Sequence, residues 1–158
     1  MNFECGRPFS VDTLHIHPFS TSHDAEDPAG FTIRHNETKI GIATDLGIAT
    51  SLVRNHLKNC NFLILEANHD TDMLMEGPYP WPLKQRVKGR TGHLSNTDSR
   101  DLISEIKHHQ LTHVVLAHLS EENNTPEMAM KTVAPALENT NIRLSCAGQT
   151  ECSKIFCI

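Results

Sequence analysis

The sequence predicts an α/β fold, a sheet whose strands alternate with helices and are layered by them. Two observations predict it. Residues 62–65 (Phe-Leu-Ile-Leu) and 114–117 (Val-Val-Leu-Ala) are short unbroken apolar runs, the pattern of strands buried on both faces. Around them apolar residues recur at helical spacing, first at Ala49, Leu52, Val53 and Leu57 and again at Leu102, Ile103 and Ile106. Strands alternating with such amphipathic stretches give α/β layering.

The elements follow in order. Residues 14–19 alternate polar and apolar, as a strand with one wet face does. Residues 31–35 and 39–44 form a hairpin across Asn36-Glu37, and the helix of Leu52 and Val53 leads into the strand at 62–65. Ser95 or Asn96 caps the helix whose buried face is Leu102, Ile103 and Ile106. After the strand at 114–117, Thr125 and Pro126 supply an N-cap and first helical residue for a helix burying Ala129, Val133, Ala136 and Leu137. Residues 142–146 and 155–158 close the pattern as strands.

At 158 residues, with 38% hydrophobic and 21% charged, the chain suffices for one domain with a real core, and no linker or repeat divides it. The formal charge of −5 excludes a strongly basic nucleic-acid coat but leaves room for a local basic patch. No uninterrupted apolar window approaches 18 residues and no basic-then-apolar leader opens the chain, so the expectation is a cytoplasmic protein without a membrane span. Five cysteines without a CxxC pair fit scattered reduced thiols.

Histidine is the outlier, with eleven in 158 residues. Imidazole is the commonest metal ligand and titrates near neutrality. In α/β layers ligands gather beyond the carboxyl ends of strands, and polar residues fall there repeatedly: His23-Asp24, Asp45, His69-Asp70 and His118. His93, in Gly-His-Leu-Ser-Asn, sits just before a helix start. A hydrolytic two-metal site needs neutral imidazoles and a carboxylate shared by ions roughly 3.5–4 Å apart. His23, Asp45 and His118 have that chemistry, and His93 is the candidate to give the leaving group its proton.

Each has a plainer reading beside it. His23 could cap backbone carbonyls, Asp45 could be a turn aspartate, and His93 could be a helix-entry residue bonded to backbone. His69-Asp70 reads as supporting structure rather than ligands. His35, His56, His108, His109 and His113 read as surface residues. His15-Ile-His17 mimics half of an H-x-H-x-D-H zinc signature, but Pro18-Phe19-Ser20 follows, so strand surface is expected. Lys84, Arg86, Lys88 and Arg90 place four cations in seven residues, either a solvated helix face or the edge of a phosphate-tracking groove.

Six runs carry a resemblance: Ser22-His-Asp-Ala with Asp27-Pro, Lys39-Ile-Gly-Ile-Ala-Thr-Asp-Leu-Gly47, Leu65-Glu-Ala-Asn-His-Asp70, Gly77-Pro-Tyr-Pro with Leu83-Lys-x-Arg, Gly92-His-Leu-Ser-Asn96, and Leu116-Ala-His-Leu-Ser-Glu-Glu-Asn-Asn-Thr-Pro126. In this order, across nearly the whole chain, they resemble the metallo-β-lactamase-fold hydrolases of the YycJ/WalJ type, relatives of the ribonuclease Z and ribonuclease J nucleases. The resemblance implies an αβ/βα sandwich, two divalent ions (zinc or manganese) and phosphodiester hydrolysis, as a DNA exonuclease, with RNA as the other substrate. It implies His23, Asp45 and His118 as metal ligands, with Asp45 serving both ions, and His93 near the scissile phosphate.

The same resemblance exposes a departure. The family's H-x-H-x-D-H motif does not occur in this chain, which therefore corresponds to the C-terminal half of the fold. Each ion would keep two protein ligands, below the three typical of a catalytic zinc. The expectation is a centre incomplete or inactive in this chain alone. A half sandwich would also leave one apolar sheet face open to a homodimer partner or to the missing N-terminal half. The competing readings are a truncated non-catalytic remnant and a small-molecule hydrolase of thioesters or lactams on the same fold.

Overall fold

A computed structural model of the chain describes residues 3–158. Seven strands form one mixed sheet in sequence order: β1 (Phe9–Val11), β2 (Leu14–Ser20), β3 (Ala29–His35), β4 (Thr38–Ala43), β5 (Phe62–Glu66), β6 (His113–Ala117) and β7 (Arg143–Cys146). β1 through β4 pair antiparallel, and β4 through β7 pair parallel. It follows that β2 runs in the direction of β4, so the carboxyl ends of β2, β4, β5, β6 and β7 share one edge. That common edge is where the chain's unusual polar residues collect.

The helices are α1 (Ser51–Leu57), α2 (Thr71–Glu76), α3 (Trp81–Val87), α4 (Asn96–Ile106) and α5 (Pro126–Val133). Their starts carry the chemistry that orphaned N–H groups need. Thr50 caps α1 and Thr125 caps α5, while Ser95 and Asp98 form a reciprocal capping box on α4. The expected last helix divides: α5 stops at Val133 and residues Ala134–Leu137 continue as a 3-10 turn. Pro135 lacks the N–H an α-helix would use there, and its ring crowds the turn before it.

Strand alternation gives the sheet two apolar faces. One, with Phe19, Ala43, Leu63, Leu65, Val114 and Leu116, packs against Val53 and Leu57 of α1, Leu102 and Ile103 of α4, and Ala129 and Val133 of α5. The other carries Ile16, Phe31, Ile33, Ile40, Ile42 and Ile64, in register across β2 to β5 and only half-buried. Residues 155–158, expected as a strand, do not pair with the sheet. Phe156 instead packs its ring on this second face, 5.1 Å from Phe62 and 5.7 Å from His113 between centroids. Only Phe156 is used for packing, while Ile155 and Ile158 stay exposed. β1, α2 and α3 are elements the sequence reading passed over; each is short, with seven residues or fewer.

Lys39 points to the helix side of β4, and only 8% of it is exposed. Its Nζ donates to the carbonyls of His56 and Lys58, 2.6 and 2.7 Å away, where α1 ends. Burial holds its ammonium below the usual lysine pKa. Lys39→Met keeps the aliphatic stem but leaves two carbonyls unpaired. The expected cost is about 1–3 kcal/mol in urea unfolding, and an unchanged midpoint would contradict this role.

Candidate metal centre

The shared sheet edge assembles the site from five connections. The loop after β2 brings His23, the turn after β4 brings Asp45, β5 ends on Glu66, the loop before α4 brings His93, and the turn after β6 brings His118. Two of these are held in backbone conformations that residues other than glycine rarely adopt: φ is +53° at Asp45 and +58° at His118. A left-handed non-glycine residue costs on the order of 1–3 kcal/mol, and such strain clusters at functional sites. Here it turns two side chains inward immediately past their strands. Gly92 secures the His93 loop by close approach, since a Cβ there would lie 2.1 Å from the carbonyl oxygen of Val87.

Glu66 organises the cluster. Its side chain is fully buried, and Oε1 accepts from Nδ1 of His93 at 2.8 Å and from Nδ1 of His118 at 2.7 Å. Oε2 accepts from the backbone N–H groups of Leu46 and Leu94, at 2.9 and 3.1 Å. Burial would raise its pKa, but the hydrogen bonds from His118 and His93 and the His93 charge outweigh burial and bring it from 4.5 to about 2. The same bond from Glu66, aided by the Glu66 and Asp45 charges, raises His118 above the usual histidine value against its burial.

The third imidazole is fixed in the same way by a different acceptor, as Nδ1 of His23 donates to the Gly92 carbonyl at 3.0 Å. A carbonyl and an ionised carboxylate can only accept, so Nδ1 carries the proton in His23, His93 and His118. Their Nε2 atoms are left for the site. Nε2 of His23 lies 3.5 Å from Oδ1 of Asp45, and Nε2 of His118 lies 3.9 Å from the same oxygen. The rings of His23 and His93 are 4.8 Å apart, and those of His93 and His118 are 5.1 Å apart.

These gaps are too long for strong hydrogen bonds. They suit donors on opposite sides of an ion, since zinc sits about 2.0–2.2 Å from each nitrogen or oxygen ligand. Donor atoms of Asp45, Glu66, His93 and His118 all lie within 4.8 Å of one another. Glu66 is less suited to ligate, because both of its oxygens already accept two hydrogen bonds each. It acts as the outer partner that orients imidazoles and raises their basicity. The residues present therefore fit divalent ions, with Nε2 of His23 and Nε2 of His118 each beside the Asp45 carboxylate.

The remaining sequence candidates are placed as follows. His69 is 1% exposed and its Nδ1 has no hydrogen-bond partner, while Asp70 caps α2. His15 is exposed and bonded to Ser10. His17 is half-buried edge-on to His56, which stacks on Phe19, so the ring of His56 is packed rather than free at the surface. His108 reaches the Cys60 carbonyl, and His35 and His109 are exposed.

The basic run divides, and Lys84 is a correction. It lies on the inner side of α3, 8% exposed, with Nζ donating to the Met75 carbonyl at 2.7 Å, so its charge is not presented to a phosphate. Arg86 is exposed at the other side of α3 and pairs with Asp24, 2.5 Å away. Lys88 and Arg90 are exposed beyond the helix end. Glu66 and the Asp24–Arg86 pair are the functional features that sequence reasoning missed. A carboxylate closing a buried apolar strand was the available signal for Glu66, since a buried charge needs partners.

A mixed sheet flanked by helices, with histidines and an aspartate gathered at its carboxyl edge, defines a protein of the metallo-β-lactamase fold. Solved structures share it. The chain superposes on the metallo-beta-lactamase fold protein YhfI from Bacillus subtilis with a TM-score of 0.69 at 15% identity, covering 92% of this chain and 51% of that one. For Zn(2+)-bound PqqB from Methylobacterium extorquens the TM-score is 0.60 at 15% identity, covering 92% and 50%. For the short form of human tRNase Z it is 0.53 at 19% identity, covering 72% and 38%.

Among curated proteins, the chain is 32% identical over 136 residues to exodeoxyribonuclease YycJ of Bacillus anthracis, covering 86% of this chain and 52% of that protein. It is 31% identical over 140 residues to exodeoxyribonuclease WalJ of Streptococcus pneumoniae serotype 2 (strain D39), covering 89% and 52%. The likeness to YycJ/WalJ-type proteins that the six motifs carry is thus shown in sequence and in fold. The chain spans about half the length of the curated relatives it matches. No family model matches it. Among the described residues no helix is long and apolar enough to cross a membrane.

The Glu66 network has a pH signature. A folded-state pKa of about 2 against an ordinary 4.5 means that Glu66 stabilises the fold fully above pH 4.5. That contribution is lost as pH falls from 4.5 towards 2. Glu66→Gln, which keeps the shape, is expected to remove part of the acid dependence of the urea midpoint while lowering stability at pH 7. An identical slope in both proteins would contradict the assignment.

Proposed function

We propose that this cluster is the metal centre of a DNA-directed phosphodiester hydrolase, an exonuclease that uses zinc or manganese. The observation that carries the reading is the placement of two Nε2 atoms, those of His23 and His118, each with its Nδ1 tied back, beside the Asp45 carboxylate. His23 and His118 would each hold one ion, with Asp45 shared between them. When bound, divalent ions supply Lewis acidity and a water of lowered pKa.

The chain's own residues supply the rest. His93 faces the cleft beside the cluster with its Nδ1 anchored on Glu66. The anchor fixes the orientation of the ring, as a group that hands a proton to a leaving oxygen requires. Arg86, Lys88 and Arg90 offer cations to a phosphate backbone, with Arg86 held beside the site by Asp24. The names of the curated relatives favour DNA over the small-molecule alternative. Two protein donors per ion is fewer than catalytic zinc usually has, so the reading places the strongest activity with a centre completed by further ligands.

The test is release of nucleotides from end-labelled DNA in manganese by a chain extended through the family's H-x-H-x-D-H half, beside a metal titration of this chain. Cleavage is expected to need metal and to fall by at least about 10²-fold in His118→Ala, in keeping with loss of a residue on which an electrostatic site depends. Metal uptake is expected to weaken in the same variant. No cleavage, or cleavage indifferent to His118→Ala, would contradict the reading.

A further inference from the structure

Beside the metal cluster, and sharing His118 with it, lies an open cleft of about 560 Å³. His93, His118 and Arg86 with its partner Asp24 line it. The size is ordinary for a small-ligand site. Tyr79, the chain's single tyrosine, lines it together with Leu83 and Val87, one turn apart on α3, and Leu119. This wall is apolar and aromatic. The turn after β6 also adds Ser120, Glu121 and Glu122 to the lining.

The charges decide what such a cleft admits. A chain of phosphates running through it would meet Glu121 and Glu122, both exposed and neither in an ion pair among the described residues. An uncharged planar group meets no such opposition. It finds an aromatic ring and aliphatic side chains to cover its faces, and acceptors for its ring N–H or amino groups at the rim. A phosphate attached to that group would be left beside His93, His118 and Arg86. Nucleobases have this form, and stacking one on a protein aromatic is worth roughly 5- to 150-fold in affinity and tolerates any base.

Resting on the nuclease reading above, we infer that this cleft binds the unpaired base of the nucleotide at the reacting end, stacked on Tyr79. The substrate is then a strand end with at least one base free of its complement.

The inference is tested by binding, not turnover, so it can fail separately from the nuclease reading. Thymidine 5′-monophosphate and 2-deoxyribose 5-phosphate, which lacks the base, are titrated into the chain in manganese. The nucleotide is expected to bind about 5- to 150-fold more tightly. Tyr79→Ala is expected to erase that advantage and leave the sugar phosphate unchanged, while Tyr79→Phe keeps it. Unaltered emission of the single tryptophan, Trp81, reports that the variants keep their fold around α3. On the wild-type chain, saturation-transfer NMR with zinc in place of manganese is expected to mark the base protons above the sugar protons. Equal affinity for the two ligands, binding of neither, or a nucleotide advantage that survives Tyr79→Ala would overturn the inference. Loss of DNA cleavage with the base preference intact would defeat the nuclease reading and leave the base pocket standing.

Discussion

A single buried carboxylate governs the geometry of the site. Glu66 ends the central strand β5 with no exposed side-chain surface, and a lone charge there would be prohibitively costly. Its cost is offset by four donors: two imidazole N–H groups and two backbone N–H groups. Meeting that requirement dictates how the neighbouring segments lie. The backbone bonds pin the turn after β4 through Leu46 and the loop before α4 through Leu94. The imidazole bonds fix the tautomers of His93 and His118 and send their Nε2 atoms outward. The need to satisfy one buried anion therefore arranges the donors for a cation.

The sheet directions do the remaining work. With β2, β4, β5 and β6 running the same way, the polar residue following each strand arrives at one edge. Left-handed turns at Asp45 and His118 aim two of those residues back across the strand ends. The opposite sheet face, half-buried and lined by Ile33, Ile40, Ile42 and Ile64, plays no part in this arrangement. It is the face a second layer covers in a sandwich. Phe156 shields the part of it near Phe62.

Much of this was legible in the sequence because each layer leaves a periodic trace. The unbroken runs at β5 and β6 announced parallel interior strands, and polar residues just beyond them announced the edge. Thr125-Pro126 and Ser95 marked helix starts by capping chemistry, and all of these are where the structure has them. What sequence could not convey is which partner a side chain finds. Glu66 reads as the polar end of an apolar run, and its importance comes from His93 and His118, 27 and 52 residues away. Lys84 and Arg86 read as one patch along the chain, yet a helix turns its side chains by about 100° per residue. One of them enters the interior and the other reaches the surface. Residues 155–158 carry a strand's composition, yet they pair with no strand and only Phe156 packs on the sheet.

The central claim is that three imidazoles keep their protons on Nδ1, and that two of them, His23 and His118, offer Nε2 to metal beside Asp45. Nitrogen-15 spectra of the histidine side chains, recorded above neutral pH before and after adding zinc, test it most directly. The account predicts Nδ1–H tautomers for His23, His93 and His118, with zinc shifting the Nε2 signals of His23 and His118 and leaving their Nδ1 atoms protonated. Nε2–H tautomers at these positions, or zinc-induced shifts confined to other histidines, would contradict it.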